Sequence, residues 1–174
     1  FIVVTRSSEL SKKETVLFPK AEFVYEHIDL SNESAVDTLF NRYDIDGIYH
    51  CAGVLSADSL ETISYSDIFE KHKSKTLGGL HLAKHSEQVT ECWFMSSISS
   101  VWGMKNHYGY CYVNSYLDTL PYTYPNVSVM RIGPIAGAGM SAEHGELLKA
   151  VGLPLIAVDE LIHAFRLNSD VVVE

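Results

Sequence analysis

The sequence predicts an α/β fold built on a doubly wound parallel sheet. Three observations carry this. Short apolar runs recur along the chain and alternate with segments of helical spacing, the pattern of βαβ units. Hydrophobic residues make up 47% of the 174 residues, enough for one buried core and one domain. Several apolar runs end in small or polar residues, as strands do where a parallel sheet meets a ligand at its carboxyl edge.

The elements follow in order. Phe1 to Thr5 is a buried-strand pattern, followed by a polar stretch from Arg6 to Lys13. Ala21 to His27 reads as a second strand, closed by Asp29-Leu-Ser-Asn32. Glu33 to Tyr43 has helical spacing, with Val36, Leu39 and Phe40 on one face and Ser31 or Asn32 as cap. Asp46 to Cys51 is a third strand, ending in Ala52-Gly53, and Ser66 to His85 a long helix. Cys92 to Met95 is a fourth strand that runs into Ser96-Ser97. Tyr108 to Leu120 is a helix stopped by Pro121. Val127 to Ile132 is a fifth strand, ending in Gly133-Pro134. Residues 143–151 and 158–166 read as helices, and residues 170–173 as a last strand. The residues just after each strand are therefore the ones to inspect: Arg6, Asp29, Cys51 to Gly53, Ser96 and Ser97, and Gly133 to Ile135.

Charge narrows the partners. The net charge of −9, from 13 basic against 22 acidic residues, argues against nucleic acid, whose phosphates need a basic surface. Cys51, Cys92 and Cys111 lie far apart without metal spacing and read as thiols in a reducing compartment. His81 and His85 share a helical face but have no further ligand at metal spacing, so no metal site is expected. No apolar run reaches the roughly 18 residues of a membrane span, and no signal peptide opens the chain. No membrane partner is expected, and a cytoplasmic location is.

The chemistry concentrates between Ser97 and Asn114. Ser97 ends a strand, Tyr110 follows thirteen residues later in the first turn of a helix, and Asn114 lies one turn on, on the same face. A serine and a tyrosine so placed can both reach one carbonyl, the serine hydroxyl holding its oxygen and the tyrosine hydroxyl protonating it. A free tyrosine titrates near pH 10, so acid work near neutrality needs a nearby positive charge. Lys75, on the preceding long helix, can supply it. Taken alone, Tyr110 could be packing, Ser97 loop structure and Lys75 a surface lysine. Their joint order and spacing favour the chemical reading, and among Ser96, Ser97, Ser99 and Ser100 the spacing favours Ser97.

At these residues the chain resembles the ketoreductases of modular polyketide synthases, within the short-chain dehydrogenase/reductase superfamily. His50-Cys-Ala-Gly-Val-Leu55 resembles their HxAGV segment, and Lys75-Thr-Leu-Gly78 their KVxG helix. Phe94 to Ser97 with Ser100-Val-Trp-Gly103 resembles the FSS…GVWG loop, and Tyr110 to Asp118 the YAAANAYLD helix. Gly133-Pro134 with Gly139-Met140 resembles the GP…GM stretch. Asn114 stands where most short-chain dehydrogenases carry lysine, with the lysine at Lys75 instead, which is the arrangement of polyketide and fatty-acid synthase ketoreductases.

The resemblance implies a Rossmann-like ketoreductase domain over residues 1–174, with Tyr110, Ser97, Lys75 and Asn114 as catalytic residues. It implies NADPH as cofactor, with Arg6 on the 2′-phosphate, Asp29 and Leu30 beside the adenine, and Cys51, Ala52, Gly53, Gly133, Pro134 and Ile135 along the cofactor. The implied reaction reduces a β-ketoacyl group on an acyl carrier protein, beside neighbouring synthase domains. A non-catalytic scaffold domain and a free-standing reductase of small ketones stay open as alternatives.

The chain also departs from the family. A strand and a GxGxxG turn precede the segment that here opens at Phe1. The expectation is a domain lacking its first strand and pyrophosphate loop. A shortened chain, a partner segment that supplies the loop, and a reductase that has lost it all fit, and the first is favoured. Leu55-Ser56-Ala57 replaces the LDD motif of one stereochemical class, with Asp58 one place too late. Trp102 and His107 match the marks of the opposite class, called A-type, subtype A2. Arg131-Ile132 stands where the family often has Asn-Trp.

Overall fold

The computed structural model describes residues 1–6, 19–137, 148 and 152–166. Strand β1 (Ile2–Thr5) pairs in parallel with β2 (Val24–His27). Strands β3 (Gly47–His50), β4 (Glu91–Ser97) and β5 (Ser128–Ile132) form a second parallel sheet in that order. The α/β class and the parallel pairing are as the sequence predicts. The strands nonetheless form two sheets instead of one, because no described strand lies between β1 and β3 to join them.

The described residues include five α-helices: α1 (Glu33–Arg42), α2 (Tyr65–Lys84), α3 (Ser99–Trp102), α4 (Tyr108–Leu117) and α5 (Val158–Arg166). Asn32 caps α1, its side chain accepting from the Ala35 N–H. Ser64 and Asp67 form a reciprocal capping box at the start of α2, so the helix begins at Tyr65, one residue earlier than the apolar spacing suggests. Helix α4 ends at Leu117, and a 3₁₀ turn over Leu120–Tyr122 takes up Pro121, which cannot donate to a continuing helix. Strand β2 starts at Val24, three residues later than predicted, while β4 runs on through Ser96 and Ser97. Those serines pair with Arg131 and Ile132 of β5, a constraint invisible to apolar patterning. The helix expected at 143–151, except Leu148, and the strand expected at 170–173 lie outside the described residues, as do Gly139 and Met140.

The period-two alternation of a strand decides which face each helix covers. Ile48 of β3 and Cys92 and Phe94 of β4 point into a core shared with Val36 of α1, Leu82 and Ala83 of α2 and Leu117 of α4. Tyr49 and Trp93 point the other way and meet the edge of Phe165 from α5. The first face is thus well covered, while α5 covers the second only in part and leaves Tyr49 half exposed.

Two mid-helix glycines set how closely α2 approaches its neighbours. A Cβ at Gly78 would stand 2.8 Å from Leu30 Cβ, and one at Gly79 would stand 2.7 Å from Leu117 Cδ2. Both neighbours are buried, so neither has room to retreat. Glycine costs about 1 kcal/mol in a helix interior, and close packing is what offsets it here. Gly78→Ala should therefore destabilise the fold by roughly 1–2 kcal/mol, overpacking outweighing the gain in helix propensity. Urea unfolding of the two proteins checks this, and a stabilised variant would show that Leu30 can move.

Candidate active site

The long helix α2 passes under the carboxyl ends of β3 and β4 and presents Lys75 there. Its ammonium donates a hydrogen bond to the Met95 carbonyl of β4 at 2.9 Å and stands 5.9 Å from the centre of the Tyr110 ring. Gly53 packs beside it, a Cβ at that position falling 3.5 Å from Lys75 Nζ, within ordinary contact. Lys75 is only 4% exposed. Burial favours the neutral amine and lowers its pKa to about 8, against a partial pull upward from Cys51 and Asp118.

Helix α4 brings the tyrosine. Asn114 is 0% exposed, and its side-chain N–H donates to the Tyr110 carbonyl one turn back at 2.8 Å. Its side-chain oxygen is buried without a hydrogen-bond partner. Ser96 Oγ donates to the Asn114 carbonyl at 3.3 Å and so ties α4 to β4. The Ser97 hydroxyl oxygen accepts from the Ser99 N–H at 3.2 Å and the Ser99 hydroxyl at 2.9 Å, which leaves its own O–H to donate elsewhere. Of the predicted quartet, Lys75 faces the Tyr110 ring and Asn114 bonds the Tyr110 carbonyl, so the structure brings these three together, while Ser97 lies buried at the end of β4 next to Ser96, which bonds α4.

His50 was singled out only as part of a motif, yet it acts on this group. Its Nε2–H donates to the Lys75 carbonyl at 3.1 Å, and its ring meets Phe94 edge-on. Burial lowers its pKa to about 4, so the imidazole is neutral near pH 7. The signal was available in the sequence: a polar residue at an inward position of an otherwise apolar strand.

A cavity of about 290 Å³ opens beside this group at the end of β1. Arg6, Leu30, Ala52 and Gly53 line it together with Lys75, which joins four of the predicted cofactor positions in one space. Asp29 stands next to it. The Ser31 N–H, then Arg6 and Ser74, hold its carboxyl below the usual aspartate range. His72 and Ser74 of α2 also line the cavity and were not predicted; they flank Lys75 but carry no motif. Cys51 is solvent-exposed, and burial of its sulfur raises the thiol pKa while the Lys75 charge lowers it.

Gly133 and Pro134 do not line that cavity. They line a second, more apolar one of about 360 Å³ with Trp102, Ile98 and Leu161, while Ile135 bridges Ile156 in parallel. Trp102 is largely exposed at its mouth. His107 Nδ1 lies 2.8 Å from the Ser56 carbonyl, tying the turn before α4 to the loop after β3. Arg131 donates to Asp118 at 2.8 Å, in a pair that also takes the Ser100 hydroxyl.

The family model of the KR (ketoreductase) domain matches residues 2–126, a span that contains the whole quartet. The chain belongs to the KR domain family. A polyketide synthase of Streptomyces halstedii, GfsA, is 29% identical over 149 residues, which cover 79% of this chain and 2% of the synthase. The KR domain chain therefore spans a small fraction of that relative. Among solved structures, the ketoreductase from the first module of phoslactomycin biosynthesis in a Streptomyces species superposes with a TM-score of 0.84 at 23% identity. That match covers 94% of this chain and 42% of the other. An archaeal alcohol dehydrogenase from Thermococcus sibiricus, complexed with 5-hydroxy-NADP, superposes at 0.71 and 21% identity, over 99% of this chain and 82% of its own. At these identities the likeness concerns the fold, the Rossmann-like arrangement of the short-chain dehydrogenases.

The buried lysine of this KR domain makes stability depend on pH. Its pKa is lowered from 10.5 to about 8 in the folded state. Between those values the unfolded chain binds more protons than the folded one, so stability rises with pH across the window. From pH 7 to pH 9 the gain from Lys75 should be about 1 kcal/mol, and Lys75→Met should lack it. Denaturation of both proteins at the two pH values measures the difference, and parallel curves would place the ammonium in solvent.

Proposed function

We propose that this KR domain reduces a β-keto group of an acyl chain carried on an acyl carrier protein, with NADPH as reductant and residues 1–174 as the catalytic unit. The observation that carries the reading is the Lys75 ammonium, buried at the carboxyl edge of the sheet and facing the Tyr110 ring. A buried cation is costly, and a fold keeps one where its field is used.

The residues fit the cofactor. Arg6 offers a guanidinium fork to a 2′-phosphate, and Asp29 and Leu30 stand beside it. Gly53 and Lys75 line the same cavity, so it reaches the quartet at Lys75. NADPH, when bound, supplies the hydride. Ser97 donates its free O–H to the substrate carbonyl oxygen and orients it. Tyr110 donates the proton, and the Lys75 charge stabilises the phenolate left behind. The unpartnered oxygen of Asn114 accepts from a water that returns a proton toward Tyr110. The apolar cavity beside Trp102 takes the acyl chain, and Trp102 and His107 are its stereochemical determinants.

Two experiments test this. Tyr110→Phe should lower kcat for a β-ketoacyl thioester by at least about 100-fold, the scale of a lost general acid. Its stability should fall by about 1 kcal/mol or less, the net worth of one hydroxyl. Steady-state kinetics beside thermal unfolding gives both, and near-parental turnover would remove Tyr110 from the mechanism. Arg6→Ala should weaken NADPH roughly 10- to 100-fold, the worth of a charged hydrogen bond, and leave NADH unchanged. Equal losses in titrations of the two cofactors would take Arg6 off the phosphate.

A further inference from the structure

The loop between β3 and α2 contains a buried carboxylate that the proposed mechanism does not use. The Asp58 side chain is 2% exposed. Its Oδ2 accepts from the Ser56 hydroxyl at 3.0 Å and from the backbone N–H of Gly109 at 3.2 Å, while Oδ1 pairs with Lys71 at 3.1 Å. The Asp58 N–H donates in turn to the Asn106 carbonyl at 2.7 Å. His72, almost wholly buried, lies 3.2 Å from the Ser56 hydroxyl. Gly109 is the residue immediately before Tyr110 and sits in the unsatisfied first turn of α4, whose His107 cap makes no side-chain hydrogen bond. The carboxylate therefore does the work of an absent cap, from 51 residues away in sequence. The fit is tight: a Cβ at Gly109 would stand 2.9 Å from Asp58 Oδ2 and 3.3 Å from His72 Nε2.

We infer that Asp58 is a positioning residue for Tyr110. By taking the Gly109 N–H it fixes where α4 begins, and hence the direction from which the Tyr110 hydroxyl meets a substrate. By taking the Ser56 hydroxyl it locks the loop after β3 against that same turn, so both walls of the site move as one unit. The inference rests on Tyr110 being the proton donor. A proton donor set off by about 1 Å loses up to about 100-fold in rate, whereas a loosened surface loop does not.

Two substitutions separate positioning from bulk stability. Asp58→Ala removes the acceptor. Asp58→Asn keeps an oxygen for Gly109 and Ser56 and turns its amide toward Lys71, which is half exposed and free to swing away. The readouts are kcat and KM with a β-ketoacyl thioester, the protection of the Gly109 amide from hydrogen exchange, and the ¹³Cζ resonance of Tyr110, assigned by its loss in Tyr110→Phe. Asp58→Ala should lower kcat roughly 10- to 100-fold with KM within about threefold, expose the Gly109 amide and shift the Tyr110 resonance. Asp58→Asn should restore all three to near parental values. If Asp58→Ala does not fold, Gly109→Ala applies the test by pushing the carboxylate away while every polar group remains, and it should reproduce the kcat loss and the shifted resonance. A folded Asp58→Ala protein with parental kcat, or with an unmoved Tyr110 resonance, overturns the inference. A parental protein without reductase activity overturns the proposed reaction instead, and the amide and tyrosine signals still decide what Asp58 holds.

Discussion

Much of the site depends on one hydrogen bond, from the Lys75 ammonium to the Met95 carbonyl. A charge buried this deeply must be held by a dipole, and the carbonyl that holds it belongs to β4, already committed to the sheet on both sides. The bond draws α2 against the sheet edge and sets its register along β4. Everything that faces Lys75 inherits that placement: the Tyr110 ring, Gly53 across the cavity, and the thiol of Cys51. His50 reinforces it from the core side by donating to the carbonyl of the same lysine.

Close packing makes the bond possible. Gly78 and Gly79 lower α2 onto Leu30 and Leu117, nearer than any side chain there would permit. Leu30 lies in the connection after β2, and Leu117 ends α4, so two glycines bring together elements from three parts of the chain. The KR domain thus gives up helix propensity in the middle of its longest helix to secure the approach of a lysine three residues away.

The site's residues sit at strand ends and on helices, and side-chain bonds hold the turns between them. Ser97 is fixed by Ser99, the turn before α4 by Asp58 and Asn106, and the strand-end arginine Arg131 by Asp118. Two cavities open in the domain, one lined by the charged Arg6 and Lys75 and one more apolar beside Trp102. That division suits a ligand pair with one charged and one apolar member, the pair the proposed reaction requires.

The sequence alone determined the α/β class and the order of the elements, and it singled out the four residues of the proposed quartet. These are local matters: apolar periodicity, the Asn32 cap, Pro121 after α4, and residue types at a fixed spacing from one strand end to the next helix. It ended the apolar part of β4 at Met95, and the ladder to β5 carries the strand on through Ser96 and Ser97, whose pairing with Arg131 and Ile132 lies 35 residues on. The resemblance puts Gly133 and Pro134 along the cofactor; in the fold the Ile156 N–H donates to the Pro134 carbonyl and both residues line the apolar cavity. It took Asp58 for a motif residue out of register. Only the tertiary structure decided that this carboxylate caps α4, because a hydrogen bond across 51 residues has no period, no spacing and no composition to betray it. The same holds for His50 and Lys75: burial and partner are properties of packing, and packing is settled only when the whole chain has found its neighbours.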